Sequence, residues 1–506
     1  MKHHPFPVLP LLLLQSLLLL RQPLGAAAFT VIVPDEQSSS KTLVDTPQSG
    51  FSGARTDPAE QQAVYDIMRA TGNPWAASIP DVCHPRWHGI ECMPDNHGVF
   101  HVVSLSFGAL SDDTAFPACN HTSSFLSPAL TRLPHIRTLF FYQCFSANPQ
   151  PIPPFLARLA PSLHTLVLRD NALVGPIPPD LGNLTLLRVL DLHSNNLSSS
   201  IPTSLLRLAS LRSLDLSANR LTGSIPPLPT AALDVLDLSN NLLRGPIPSS
   251  LANCRALIKM DLSRNSLAGP IPPDLFHGLQ SLMLLDLSYN RLSGPLPSSL
   301  RSLTSLEALI LKANPMQSAL IPDDIFSPSL KNLMIVILSD MGLRGSIPDS
   351  LGRLPSLRVL QLDRNGLNGS IPESFKHSTG LSELKVNNNG LVGPIPFGRE
   401  MLWRMGRKLV LSNNSGLCYD GCSSGGGGGG AEEGVDSLSF VAGIGCCQTK
   451  AGPVVGVATK TTQHVSARDH RLEPGPIRPA NSVGPGTPGS MLILTWTLAA
   501  AAHLFL

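Results

Sequence analysis

Acidic residues recur at a regular spacing along the middle of the chain, and they are the first candidates for chemistry. Each opens an Asp-Leu-Ser or Asp-Leu-His triplet: Asp191, Asp215, Asp237, Asp261 and Asp286. A row of carboxylates could bind a metal ion or supply the acid and base of a glycosidase. The regular spacing instead favours a repeated structural role at the polar edge of a solvated sheet, so we predict neither a metal site nor a catalytic site.

No other motif supplies catalytic or cofactor chemistry. The sequence contains no Walker or dinucleotide-binding glycine loop, no His-Glu-x-x-His and no protein-kinase signature. The glycine run from Gly425 lacks the flanking strand and helix that a phosphate loop needs. With a net charge of +2 and 14% charged residues, the composition does not indicate nucleic-acid binding. We therefore predict a protein that is not an enzyme and needs no cofactor.

The acidic residues belong to a longer repeat that must position them. Segments of the form Leu-x-x-Leu-x-Leu-x-x-Asn recur about every 24 residues, most of them followed by Gly-Pro-Ile-Pro or a close variant. The ladder asparagines are Asn171, Asn195, Asn219, Asn241, Asn265, Asn290, Asn314, Asn365, Asn389 and Asn414. Cys144 and Met341 occupy the equivalent position in two further segments, which brings the run to twelve repeats. This periodicity predicts a leucine-rich-repeat solenoid.

Each residue type has a physical role in such a repeat. Alternation puts the leucines of a segment such as Leu190-Asp191-Leu192 on the buried face of a short strand and the intervening residue on the other face. We expect an α/β solenoid with a parallel β-sheet on its concave face. The asparagine side chain should turn inward and satisfy backbone groups, at a loss of about 1–3 kcal/mol if it is removed. One repeat cannot fold alone, so the ends need caps.

The segments before the repeats read as an export signal and a cap. A leucine run followed by Ala26-Ala27-Ala28 predicts a signal peptide over residues 1–28, and residues 29–56 are polar and predict a flexible arm. Residues 57–129 should form the N-terminal cap and first strand. Asp57 is expected to cap a helix that begins at Pro58. The apolar face of this helix is predicted to consist of Val64, Ile67 and Met68.

Secretion makes the cysteines candidates for disulfides that close the two ends. Cys83 should pair with Cys92, and Cys119 with Cys144. At the other end, Cys418 is expected to reach Cys446 or Cys447, with Cys446 taken as the partner and the state of Cys422 left open. Cys254 is left over and predicted to be a buried, unreactive side chain.

Composition changes after the repeats, which we assign to residues 130–417. Residues 418–447 are the predicted C-terminal cap, residues 448–490 a flexible tether, and residues 491–506 a hydrophobic membrane-anchor segment without Asp, Glu, Lys or Arg. A helix of that length is short for a bilayer, and small residues precede it, which favours a lipid-anchor signal over a short membrane span. Both alternatives place the protein on the extracellular face of the plasma membrane. Five Asn-x-Ser/Thr sites predict glycosylation at Asn120, Asn183, Asn196, Asn368 and Asn413.

The consensus Leu-x-Gly-x-Ile-Pro resembles the plant-type leucine-rich repeats of receptor kinases and receptor-like proteins. A narrower resemblance lies in the cap, in the segments Ala63–Asn73, Arg86–Asp95 and His101–Pro117. These segments are similar to those of kinase-less receptor-like proteins of stomatal patterning, and the similarity runs from about Asp57 to Cys418. The segment after Cys418, with its glycine run and the adjacent cysteines Cys446 and Cys447, departs from that family.

The resemblance implies a plant-type leucine-rich-repeat superhelix with disulfide-bonded caps and a co-receptor function. The implied partners are ERECTA-type receptor kinase ectodomains and secreted cysteine-rich epidermal patterning peptides, which together control stomatal development and spacing. Two alternatives stay open. One is a secreted inhibitor of cell-wall-degrading enzymes, and the other is an immune receptor-like protein.

Candidate binding residues are those on the concave face of the C-terminal half that depart from the Asp-Leu-Ser pattern. An aromatic ring and mixed charges on a rigid sheet are suited to an interface. The predicted set is Tyr289, Lys312, Gln361, Asp363, Arg364, Lys385 and Asn387.

Overall fold

The computed structural model describes residues 55–84, 88–108, 116–227, 232–316, 320–420 and 444–447. The predicted signal peptide, nearly all of the arm, the tether, Cys422 and the hydrophobic C-terminal segment lie outside these residues. Within the described ranges, no helix is both long enough and apolar enough to cross a lipid bilayer.

A main sheet of fourteen strands runs through the described repeats and confirms the predicted solenoid. The first two strands pair antiparallel, and the later neighbours pair parallel. The leucines of each strand point into one continuous core, as Leu190 and Leu192 do at 0% exposure. The strands are Ile90–Pro94, Phe100–Phe107, Thr138–Phe141, Thr165–Val167, Val189–Asp191, Ser213–Asp215, Val235–Asp237, Lys259–Asp261, Leu284–Asp286, Ala308–Ile310, Ile335–Ile337, Val359–Gln361, Glu383–Lys385 and Leu409–Val410.

Short strands that follow the ladder asparagines form further parallel sheets beside the main one. In the described residues these have two, three and five strands. They are Val174–Pro176 and Asn196–Ser198; Arg244–Gly245, Ser266–Pro270 and Arg291–Ser293; and Arg344–Gly345, Gly366–Gly369, Gly390–Pro394, Gly416–Tyr419 and Gly445–Cys446.

Helices are short outside the N-terminal cap, because the Pro turn and the next strand leave room for only one or two turns. The α-helices are Pro58–Ala70, Asp349–Gly352 and Arg399–Met405. The 3₁₀ helices are Pro74–Ser78, Pro128–Arg132, Pro154–Leu159, Pro179–Asn183, Thr203–Arg207, Ser249–Asn253, Leu275–Gly278, Ser298–Ser302, Glu373–His377 and Gly406–Lys408.

The ladder asparagines turn inward and bond to two repeats at once. Asn219 Nδ2 donates to the carbonyl oxygens of Leu192 at 2.9 Å and Leu216 at 3.1 Å. Its Oδ1 accepts the backbone N–H of Leu197 at 3.0 Å. This is the predicted role, and it ties each repeat to the preceding one. Where the ladder has Met341 instead, the side chain is buried in the core at 1% exposure.

The N-terminal helix forms as the sequence predicts. The Asp57 carboxylate accepts the N–H groups of Ala59 at 2.9 Å and Glu60 at 3.0 Å, and Pro58 occupies the first turn. The predicted apolar face, Val64, Ile67 and Met68, is fully buried. Thr56, assigned to the arm, is also buried and bridges to Phe100, so the ordered cap includes it.

The structure joins Cys83 to Cys92 and Cys119 to Cys144, the two pairs predicted for the N-terminal end. Cys254 is free and buried.

At the C-terminal end, Cys418 is bonded to Cys447, and the choice of Cys446 is wrong. The strand register gives the reason, because Gly445 lies opposite Cys418. Side chains alternate along a strand, so Cys447 faces the same side as Gly445 while Cys446 faces the other. Cys446 is itself disulfide-bonded.

Candidate binding surface

The solvent face of the main sheet carries the candidate site. Parallel register aligns equivalent residues of successive repeats, so that Asp237, Asp261 and Asp286 lie opposite one another on adjacent strands. Neighbouring strands are about 4.8 Å apart, and each side chain therefore faces its equivalents in the repeats on either side. The surface consists of rows that cross the strands.

The row that begins with five aspartates, here called the acidic row, is more buried than expected. Four of its members are between 2% and 9% exposed, so the prediction of solvated carboxylates is wrong for them: Asp191, Asp237, Asp261 and Asp286. Side chains of the adjoining repeats cover them from both sides. Each carboxylate accepts the backbone N–H two residues later, as Asp261 does from Ser263 at 3.0 Å. The row thus satisfies backbone groups where the strands end.

His193 compensates charge at the N-terminal end of the acidic row. Its Nδ1 lies 2.8 Å from Asp191 Oδ1 and 3.8 Å from Asp215 Oδ2. Burial opposes protonation of His193, but the hydrogen bond to Asp191 and the charges of both carboxylates outweigh it and raise its pKa to about 9. Burial and the charges of Asp237 and Asp191 raise the pKa of Asp215 to about 7.

Lys259 compensates charge in the middle of the row. Its Nζ lies 2.8 Å from Asp237 Oδ2. Burial alone would raise the pKa of Asp237, but the charge of Lys259 lowers it below its usual value. Asp261, one strand further, is buried beside Asp237 and Asp286, and its pKa is raised well above the ordinary range. The repulsion among these carboxylates is therefore only partly cancelled.

The same row becomes apolar beyond Asp286. Ile310 and Ile337 take the next two positions, followed by Gln361 and Lys385. The two isoleucines depart from Asp-Leu-Ser as clearly as the predicted charged residues do, but they are absent from the predicted set. The signal was present in the sequence, since Leu-Ile-Leu in one repeat and Val-Ile-Leu in the other replace Leu-Asp-Leu. Attention to charge alone missed it.

Tyr289 and Lys312 come together on adjoining repeats. The Tyr289 side chain is 40% exposed, and Lys312 Nζ lies 5.6 Å from its ring centre. The guanidinium of Arg264, a residue that the sequence prediction missed, lies 4.6 Å from the same ring. Cation–π contacts of this kind contribute about 0.5–1 kcal/mol at exposed sites. They hold an aromatic ring between two cations on the sheet surface.

Gln361 and Lys385 are joined through a shared carboxylate. Gln361 Nε2 lies 2.6 Å from Glu383 Oε1, and Lys385 Nζ lies 2.7 Å from the same oxygen. Gln361 is only 6% exposed. Both polar groups already have a partner within the sheet, so an external partner would meet mainly the half-buried Lys385.

The remaining predicted residues form a neighbouring group. Asp363 accepts a hydrogen bond from Ser339 at 2.5 Å and lies 3.9 Å from Arg364 Nε. The Arg364 side chain is exposed, and its backbone N–H donates to the carbonyl of the half-buried Asn387 at 3.0 Å. The predicted set is therefore two groups, around Tyr289 and around Arg364. The repeat of Ile335–Ile337 separates them.

Within the described residues, three groups of side chains have the spacing of metal ligands. The first is Asp191, His193 and Asp215, and the second is Glu60, His101 and His135 in the cap. The third is Cys418, Asp420 and Cys447, whose two cysteines are already joined in a disulfide. Hydrogen bonds account for the second group, since Glu60 Oε1 lies 2.7 Å from His101 Nδ1 and 3.0 Å from His135 Nδ1. Glu60 Oε2 accepts the N–H of Val102 at 2.7 Å. This buried carboxylate ties the helix to the first strands of the sheet.

The predicted glycosylation sites are all accessible. Asn120, Asn183, Asn196, Asn368 and Asn413 have exposed side chains, and none of them lies in a strand of the main sheet. Asn413 Nδ2 donates to Asn388 Oδ1 at 2.7 Å, a contact that a glycan on that nitrogen would alter.

Family models agree with the fold. Models described as Leucine rich repeat match residues 161–221, 232–254, 269–316 and 356–378. Together with the parallel sheet and the disulfide-bonded ends, these matches define a plant-type leucine-rich-repeat fold, as the periodicity predicts.

Two relatives with known names share part of their sequence with this chain. Over 166 residues the chain is 64% identical to Protein TOO MANY MOUTHS of Arabidopsis thaliana, a match that covers 32% of this chain and 33% of the relative. This similarity confirms the resemblance predicted from the cap. A second relative, Receptor like protein 29 of Arabidopsis thaliana, is 39% identical over 150 residues, 28% of this chain and 31% of the relative. The matched segments span about a third of the length of these relatives.

Solved structures of plant receptor ectodomains share the fold. One is the membrane receptor kinase GASSHO1/SCHENGEN3 from Arabidopsis thaliana in complex with CASPARIAN STRIP INTEGRITY FACTOR 2, with a TM-score of 0.55 and 27% identity over 71% of this chain and 47% of that chain. Another is the Arabidopsis receptor kinase HAESA in complex with the peptide hormone IDA and a co-receptor, with a TM-score of 0.52 and 32% identity over 58% of this chain and 48% of that chain. Fold and relatives together support a plant leucine-rich-repeat receptor-like protein.

Proposed function

We propose that this chain is a kinase-less co-receptor that acts with ERECTA-type receptor kinases in the recognition of secreted cysteine-rich patterning peptides, and so controls stomatal spacing. The observation that carries the proposal is the 64% identity to Protein TOO MANY MOUTHS over 166 residues. That identity is well above the 27% and 32% shared with the receptor kinase ectodomains that have the same fold.

The solved structures support the general mode of action. Both ectodomains described above are in complex with peptide ligands, and one complex also contains a co-receptor. A rigid repeat sheet can present a wide surface to an extended ligand and to a second ectodomain at the same time. For this chain, binding rather than catalysis is the proposed activity.

The surface chemistry of the C-terminal half is compatible with such an interface. Tyr289 exposes an aromatic ring between Arg264 and Lys312, and Arg364 is exposed further along. Aromatic and Arg side chains are enriched at protein interfaces and among the residues that dominate binding energy. We place the partner-binding surface on these residues and on Lys385.

The proposed location is the extracellular face of the plasma membrane, through the C-terminal segment. The similar ectodomains of membrane receptors support the extracellular assignment. Treatment of membranes with a phosphatidylinositol-specific phospholipase should release the chain if the anchor is a lipid. Retention after treatment, with extraction only by detergent, would indicate a membrane span.

Co-immunoprecipitation of the full chain with an ERECTA-type receptor kinase tests the function. We expect association that a cysteine-rich patterning peptide strengthens. An unrelated leucine-rich-repeat receptor kinase of similar size serves as the matched control. Absence of association with the ERECTA-type kinase, with and without peptide, would contradict the co-receptor proposal and favour the enzyme-inhibitor alternative.

A further inference from the structure

Glu307 carries a buried carboxylate oxygen without a partner. The residue precedes the strand Ala308–Ile310 and is 8% exposed. Its Oε2 is buried and accepts no hydrogen bond within the described residues. Buried polar atoms in folded proteins nearly always have a partner, so an exception at this level of burial requires an explanation.

The neighbours of Glu307 along its row provide no positive charge. The Glu307 backbone bonds to Met283 on one side at 2.9 Å and to Met334 on the other at 2.8 Å, which places it between two thioethers. Arg358 follows Met334 and is therefore two strands from Glu307, about 10 Å away. Burial raises the pKa of Glu307, and no neighbouring charge lowers it.

The carboxylate borders the apolar part of the main sheet. We define the apolar band as Ile310, Ile335, Ile337 and Val359, flanked by Met283 and Met334. All six side chains are half-buried, so each still presents apolar surface to solvent. The band lies between the group around Tyr289 and the group around Arg364. In the five repeats of the acidic row, the position of Ile310 and Ile337 is an aspartate.

We propose that Glu307 and the apolar band form a docking site for a polypeptide segment that places a Lys or Arg side chain on Glu307 and an adjacent apolar side chain on Ile310 and Ile337. The unpaired carboxylate selects the basic group by charge complementarity, and the apolar band selects its neighbour. A free cation would satisfy Glu307 alone and would leave the band exposed. The proposal deepens the proposed co-receptor function and rests on it for the identity of the natural partner.

Selection of peptides tests the site without that partner. The immobilised full chain is used to enrich a displayed library of random peptides, in parallel with its Glu307→Lys and Ile337→Asp variants. The wild-type chain should enrich peptides that have Lys or Arg next to a large apolar residue. Both variants should bind those peptides at least about tenfold more weakly, as expected for the loss of one well-paired contact. No common motif, or a motif that both variants retain, would overturn the proposal.

Matched variants separate binding from folding. Ile337→Asp installs the residue that five other repeats carry in this row, so the fold should tolerate it. Glu307→Gln keeps the shape and removes the charge, so its unfolding midpoint should equal or exceed that of the wild type while binding of the selected peptides falls about tenfold. Glu373→Lys, at an exposed glutamate on a 3₁₀ helix, is the charge-matched control and should bind normally. A fall in the unfolding midpoint of Glu307→Gln with unchanged binding would show that Glu307 is structural and overturn the proposal.

The outcome is independent of the co-receptor test. If the chain selects the basic and apolar motif but does not associate with an ERECTA-type kinase, the docking site stands and the assignment of its partner fails. If the chain associates with the kinase and the Glu307→Lys variant does so equally well, while no peptide motif emerges, the co-receptor function stands and the docking site fails.

Discussion

The two halves of the main sheet have the same interior and different solvent faces. In the N-terminal half, from Val189–Asp191 to Leu284–Asp286, the central row is acidic and its charges are partly compensated by His193 and Lys259. In the C-terminal half, from Ala308–Ile310 onward, the row is apolar at Ile310 and Ile337 and then polar at Gln361 and Lys385. The contrast shows that the repeat keeps its stabilising contacts inside and leaves its outer row free to vary.

The interior contacts are nearly identical in the two halves. Asn241 Nδ2 donates to the carbonyl of Leu216, 25 residues earlier, at 2.9 Å. Asn389 Nδ2 donates to that of Leu362, 27 residues earlier, at 3.0 Å. Each side chain also accepts a backbone N–H of the preceding repeat, from Leu221 and from Leu367 respectively.

Replacement of a ladder asparagine should therefore be equally costly in both halves. Asn241→Ala and Asn389→Ala should each lower the free energy of unfolding by about 2–3 kcal/mol, because several buried backbone groups lose their partner. Denaturant titration of the purified chain measures this effect. Asn183→Ala, at an exposed position, is the control and should change stability by less than about 0.5 kcal/mol. A large difference between the two ladder variants would mean that the halves differ inside as well.

Charge reversal should weaken partner binding when it is made in the C-terminal half and not when it is made in the N-terminal half. Arg364→Glu combined with Lys385→Glu should weaken binding to an ERECTA-type ectodomain about tenfold, since an exposed cation is lost and a carboxylate is placed beside Glu383. Arg212→Glu in the N-terminal half, where Arg212 pairs with Asp234 at 3.5 Å, is the mirror control. The affinities are measured by biolayer interferometry. If the wild type, the double variant and the Arg212→Glu variant bind with equal affinity, the partner-binding surface is not in the C-terminal half.

The acidic row should make stability depend on pH through the N-terminal half. Asp215, with its pKa raised to about 7, binds a proton more readily in the folded state, so stability falls as pH rises from about 4 to about 7. His193, with its pKa raised to about 9, contributes stability below about pH 6.5 that is lost as pH rises through 9. Both effects have the same sign.

We expect the unfolding free energy to decrease by roughly 3–4 kcal/mol between pH 6 and pH 9, most of it from His193. Denaturant titrations at several pH values measure the slope. Asp215→Asn together with His193→Asn should flatten it, whereas Gln361→Ala, at the same row position as Asp215, should leave it unchanged. A flat profile for the unmodified chain would show that the row is more solvated than its burial indicates.

The sequence predicts the features that depend on neighbours along the chain. The Asp57 cap, the inward asparagines and the pairing of Cys83 with Cys92 each follow from local spacing, and the structure contains all three. Features that depend on adjacent repeats were not predictable in the same way. The choice of Cys447 follows from strand register, and the unpaired state of Glu307 follows from the residues one repeat away on either side.

The turn that follows each ladder asparagine should show the smallest effect, and it tests whether this turn is equivalent in the two halves. Ser199 adopts φ +70° at a position where Gly369 of the C-terminal half has φ +74°. Non-glycine residues are strained in this region, so Ser199→Gly should stabilise the chain by about 0.5–1 kcal/mol and Gly369→Ser should destabilise it by a similar amount. Thermal unfolding of the two variants should shift in opposite directions. Shifts in the same direction would show that the two turns are not equivalent.

The direction of the asparagine bonds has a consequence for the order of events during synthesis. Each ladder side chain reaches back to a repeat already made, as Asn219 does to Leu192 and Asn414 to Val386, 27 and 28 residues earlier. A repeat can therefore dock as soon as the next asparagine leaves the ribosome, with the disulfide-closed cap as the first template. The folded array of repeats would grow from the N-terminus. The disulfide between Cys418 and Cys447 would form after the last repeat has docked.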